Sequence, residues 1–80
     1  MINMNLEKRL KKIIIDAFNL KKQQIDFNWS SNDIAGWDSL GHLKLIMKIQ
    51  KEFNITIEIE EMFQIKNLKD IYNIIKRKID

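Results

Sequence analysis

Ser39 sits in the run Gly36-Trp37-Asp38-Ser39-Leu40, where its hydroxyl is set up for chemistry. Gly36 suits a turn and Asp38 suits a helix cap, so Ser39 falls in a first helical turn with its side chain toward solvent. A serine becomes a nucleophile in its own right only when a base lies within hydrogen-bonding reach and a third group orients that base. No base, acid or metal ligand lies near Ser39 in sequence to do this. A hydroxyl that is displayed but not activated suits attachment: another protein modifies it, and the chain carries what has been added.

The rest of the reactive inventory points the same way. The chain has no cysteine, so it has no disulfide framework, no thiolate metal site and no thiol of its own. Any sulfur chemistry must arrive with an attached group. Its single histidine, His42, excludes a histidine metal cluster and lies on an apolar helical face, where a half-buried, hydrogen-bonded ring is the ordinary outcome. His42 also lies close enough to Ser39 to line whatever is attached there. No catalytic set and no metal site is expected.

The elements that must position Ser39 follow from patterning. Eighty residues, 45% hydrophobic, with no proline and two glycines, predict one all-α domain spanning residues 1–80. Leu6, Leu10, Ile13, Ile14, Ala17 and Phe18 recur at helical spacing and predict a helix over about residues 4–18, capped by Asn3 or Asn5. Residues 19–37 lack a period and read as a long loop. Ile25, Phe27, Trp29, Ile34 and Trp37 anchor it to the core, and its crest is Ser30-Ser31-Asn32-Asp33. Asp38 then caps a helix running to about Phe53. Ile55, Ile57 and Ile59 alternate as in a strand, but a lone strand cannot satisfy its backbone, so an extended loop and a short helix over about Ile59–Gln64 are expected. Asn67 opens a last helix whose core face is Leu68, Ile71, Tyr72, Ile75 and Ile79.

The helix after Ser39 carries two apolar stripes. Leu45, Ile46, Ile49 and Phe53 make a broad core face; Leu40, Leu43 and Met47 lie roughly opposite, with Lys44, Lys48 and Lys51 alongside. A small bundle has little left to cover a second stripe. Leu40, Leu43 and Met47 are therefore expected to form an exposed docking ridge that starts beside Ser39.

Asp38-Ser39-Leu40, the following Gly41-His42-Leu43-Lys44-Leu45-Ile46-Met47, and Glu52-Phe53-Asn54-Ile55 together resemble the acyl carrier proteins. Glu60-Glu61 before a short apolar segment and Asn67-Leu68 at the start of the last helix extend that resemblance over nearly the whole chain. It implies a small four-helix bundle with a long first loop and a short third helix, in agreement with the elements above. It implies that a phosphopantetheinyl transferase moves 4′-phosphopantetheine from coenzyme A onto Ser39, with Asp38 helping recognition, and that the arm's thiol holds an acyl group as a thioester. It further implies that Leu40, Leu43, Lys44, Met47, Lys48 and Lys51 face partners, and that His42, Met62 and Phe63 line an acyl pocket or the third helix. The partners expected are an acyl- or aminoacyl-loading enzyme and a downstream acyltransferase or synthase.

One departure narrows the expectation. The carriers of fatty-acid synthesis are typically acidic on this helix, whereas here lysines occupy the face and Gly41 sits where an acid is common. A stand-alone carrier dedicated to a specialised pathway is expected. An aminoacyl or peptidyl carrier is an alternative, as is a small helical interaction module with no prosthetic group. Net charge is +3, with six basic and three acidic side chains in residues 1–26 and eight of each in residues 27–80. With two arginines and no stacking platform, nucleic acid is not an expected partner. No signal peptide or membrane span is read, and a cytoplasmic monomer is expected.

Overall fold

A computed structural model of the chain describes residues 4–21 and 25–79, and the following refers to these. It contains four helices: α1 (Met4–Phe18), α2 (Ser39–Phe53), α3 (Ile59–Gln64) and α4 (Leu68–Ile79). Among the described residues there is no strand. The predicted elements are found, and Asp38 caps α2. Of the two caps expected for α1, Asn5 lies inside the helix and Asn3 lies outside the described residues.

The core is mainly aliphatic, with Phe53 and Trp37 as its aromatic members, and is built largely from three of the helices. Leu6, Leu10 and Ile14 of α1, Leu45, Ile46, Ile49 and Phe53 of α2, and Leu68, Ile71, Ile74 and Ile75 of α4 are buried, together with Ile57. Each such side chain contributes about 1.5–3 kcal/mol by leaving water. The last helix departs from expectation at three places: Ile74 is in the core, Tyr72 is half-buried and Ile79 is exposed. The face runs along 68, 71, 74 and 75, and Ile79 falls beyond the covered end of the helix. α3 contributes no buried residue.

Helices α1 and α2 end alike. Asn19 and Asn54 adopt left-handed backbone with φ of 53° and 54°. The next N–H groups, of Leu20 and Ile55, reach back to the carbonyls of Ile15 and Gln50 at 3.0 and 3.2 Å. Asparagine tolerates this conformation and so stops a helix without glycine.

The long first loop is tied down as a structural element. Ile25, Ile34 and Trp37 are buried, while Phe27 and Trp29 pack partly against the core. The carbonyls of Trp29 and Phe27 accept the N–H groups of Leu68 and Lys69 at 3.0 and 2.8 Å, satisfying donors that the start of α4 leaves without helical partners. At the crest, the Asp33 carboxylate accepts the Ser30 N–H at 2.8 Å. The extended stretch after α2 is satisfied by a side chain: Gln50 Oε1 accepts the Ile57 N–H at 2.8 Å. Together with the Ile55 N–H on the Gln50 carbonyl and the Glu58 N–H on the Glu61 carboxylate, it lets a strand-like sequence exist without a partner strand.

Candidate functional site

The site is assembled at the start of α2. Asp38 has extended backbone, and its Oδ1 accepts the Gly41 N–H at 2.8 Å. Its carbonyl accepts the N–H of His42, also at 2.8 Å. The N–H groups of Ser39 and Leu40, at the first two helical positions, have no intrahelical acceptor and leave the positive end of the helix open. Ser39 and Asp38 are both exposed.

Two glycines bring the loop onto this turn. Gly36 has φ of +91°, a conformation that glycine adopts without strain. A Cβ at Gly41 would collide with the Gly36 carbonyl oxygen. Gly41 is therefore the residue that lets the loop close against the helix.

His42 is half-buried, as expected, and both ring nitrogens are engaged. Trp37 Nε1–H donates to Nδ1 at 2.8 Å, which leaves Nε2 as the donor to the Met62 carbonyl at 3.0 Å. The ring thus joins the buried Trp37 of the loop, the first turn of α2 and the short α3. Sequence reasoning missed Trp37 as its partner and Met62 as its acceptor. The Met62 bond uses a backbone atom and leaves no signature in residue types.

Beside Ser39 lies an open cleft of about 450 Å³, bounded by Trp37, Asp38, Ser39, His42, Met62 and Phe63 among others. The predicted trio His42, Met62 and Phe63 is therefore brought together with Ser39. Met62 is half-buried, whereas Phe63 is 77% exposed. Lys66 joins the cleft from the turn between α3 and α4, a contribution with no signal in the sequence near Ser39.

The second stripe of α2 is open: Leu40 is 61%, Leu43 43% and Met47 59% exposed. Lys44, Lys48 and Lys51 are exposed beside it. α3 is held at its surface mainly by polar bonds. The Glu61 carboxylate accepts the Glu58 N–H at 2.9 Å and pairs with Lys78 at 2.9 Å and Arg77 at 3.8 Å. The Glu58 N–H foremost, then Lys78, holds the Glu61 carboxyl below its ordinary value. Among the described residues, no group of three or more histidine, aspartate or glutamate side chains is arranged to hold a metal ion.

Comparison with known sequences gives the family of the chain. Residues 8–75 match the family described as "Phosphopantetheine attachment site". The chain belongs to the acyl carrier protein family. It is 36% identical over 74 residues to the acyl carrier protein of Buchnera aphidicola subsp. Acyrthosiphon pisum (strain Tuc7), with 92% of each chain covered. The acyl carrier protein of Rickettsia bellii (strain OSU 85-389) is 35% identical over 72 residues, covering 90% of this chain and 89% of that one. That of Petrotoga mobilis (strain DSM 10674 / SJ95) is 31% identical over 75 residues, covering 94% and 88%. The protein is a carrier and not an enzyme, and 4′-phosphopantetheine is its prosthetic group. Proteins of this kind work with transferases and synthases. That assignment selects the carrier over an interaction module lacking a prosthetic group. No helix of the described residues is long and apolar enough to cross a membrane.

Proposed function

We propose that Ser39 is the attachment point of the phosphopantetheine arm, and that residues 1–80 act as one carrier domain presenting an acyl thioester to partner enzymes. The observation that carries this reading is the contrast among the three serines of the chain. Ser30 is half-buried, and its N–H and hydroxyl both lie against the Asp33 carboxylate, at 2.8 and 3.3 Å. Ser31 is exposed and borders the same cleft as Ser39, but it lies in the loop crest and on no helix. Ser39 alone combines exposure, the N-terminal turn of a long helix and an adjoining cleft.

The residues around Ser39 suit the group. The unpartnered N–H groups of the first turn favour a phosphodiester at that position, and Lys66 adds a positive charge at the cleft wall. Met62, Phe63 and Ile65 supply apolar surface for the arm. When bound, the group supplies a terminal thiol on a flexible arm, which a chain without cysteine lacks. Asp38 holds the serine's turn in shape and serves as a recognition element for the phosphopantetheinyl transferase. Leu40, Leu43, Lys44, Met47, Lys48 and Lys51 form the docking face for that enzyme, for an acyl-loading enzyme and for a downstream acyltransferase or synthase. The lysines on this face support a specialised biosynthetic pathway, with the carrier working as a cytoplasmic monomer.

The test is loading by a broad-specificity transferase with coenzyme A and magnesium, followed by intact mass. The wild type is expected to gain one phosphopantetheine and Ser39→Ala none. A gain by Ser39→Ala would refute the assignment.

A further inference from the structure

The docking face has a polarity that is set by ion pairs elsewhere in the fold. Lys44, Lys48 and Lys51 lie on one flank of α2, beside the Leu40–Leu43–Met47 ridge, and none of them makes an ion pair among the described residues. The acid of the same helix is already engaged, whereas Asp38, Glu58 and Glu60 are exposed and make no ion pair among the described residues. Glu52, the one acid of α2, pairs with Arg9 of α1 at 3.2 Å, and the same guanidinium also donates to the Glu52 carbonyl at 3.0 Å. Arg9 is held in place by stacking 4.3 Å above the Phe53 ring. Glu61 of α3 is bound by Lys78 and Arg77 of α4. α1 and α4 thus lend cations to Glu52 and Glu61, and the lysines of α2 keep their charge for a visitor.

We propose that this carrier is read through a basic flank, and that the enzymes built to dock on it present a recess that is apolar at its centre and acidic at its rim. The proposal rests on the reading of Ser39 as attachment point and of the α2 ridge as docking face. Like charges brought together across an interface slow encounter and weaken docking, and opposite charges speed it. A partner with a basic docking surface is therefore a poor partner for this chain at low salt.

The experiment uses the full chain and one probe enzyme, a phosphopantetheinyl transferase whose docking surface is basic. Loading is followed by intact mass between about 0.01 M and about 0.5 M salt, where the screening length falls from about 30 Å to a few ångströms. For the wild type, kcat/KM is expected to rise with salt as repulsion is screened. For K44E/K48E/K51E it is expected to start at least about tenfold higher at low salt and to fall as salt increases. Circular dichroism and melting of the triple variant, with all three positions exposed, should match the wild type. Equal low-salt rates, or loading of both proteins with the same salt slope, would overturn the proposal while leaving Ser39 intact. Loading of neither protein by this enzyme or by a broad-specificity one, or loading of a Ser39→Ala control, would instead overturn the attachment reading beneath it.

Discussion

Asp38 caps α2, and substitutions can separate that role from the transferase recognition proposed for it. As a cap it accepts the Gly41 N–H, and losing such a cap costs about 1 kcal/mol. Asp38→Ala should lower the unfolding free energy, read from denaturant melts, by that amount, whereas Asp38→Asn, an equally good cap without the charge, should leave it nearly unchanged. Both variants should be loaded more slowly by a transferase that reads the carboxylate. Loading of Asp38→Asn at the wild-type rate would confine the residue to capping. Gly41 offers a second residue-scale check. Glycine to alanine inside a helix ordinarily stabilises by about 1 kcal/mol, but here the new Cβ meets the Gly36 carbonyl. Gly41→Ala should therefore destabilise, which thermal melting will show. The exposed Ser39, its cap and the ridge were legible because helical spacing and capping chemistry are local. The roles of Trp37, Lys66 and Gly41 were not, since each depends on a contact made only after the loop has folded back.

Among the elements, α3 is the least embedded. It buries no side chain, exposes Ile59 and Phe63, and is held by the His42 bond to Met62 and by the ion pairs of Glu61. Removing the ring with His42→Ala leaves the Trp37 N–H and the Met62 carbonyl without their partner. Amide exchange over α3 and the following turn should accelerate, with global stability lower by about 1–3 kcal/mol. Unchanged exchange there would mean that His42 does not hold α3. Glu61 adds a pH dependence with a definite sign. Its folded pKa lies below the ordinary 4.5, so its contribution is fully present above that value and is lost as pH falls through the lowered one. Glu61→Gln should flatten the acid limb of the melting-temperature profile and leave the neutral region little changed in slope. The extent of α3 was legible from its apolar segment. Its looseness was not, because the bonds that hold it come from α2 and α4.

For the molecule as a whole, the division of labour is between a closed aliphatic core and an open working face. Leu45, Ile49, Ile71 and Ile75 are fully excluded from water, and truncating one of them to alanine should cost about 2–5 kcal/mol. Leu40, Leu43 and Met47 are exposed by comparison, and alanine there should leave the unfolding midpoint nearly unchanged while slowing partner reactions. The helical order could be read from the sequence because few residues break helices and the apolar periods are clear. The strand-like Ile55–Ile59 stretch was resolved by the same logic of backbone satisfaction that Gln50 fulfils in the structure. The position of the arm can be read by fragmentation mass spectrometry of the loaded protein on the peptide that holds Ser30, Ser31 and Ser39 together. Phosphopantetheine is expected on Ser39 alone; the group on Ser30 or Ser31 would contradict the placement proposed for it.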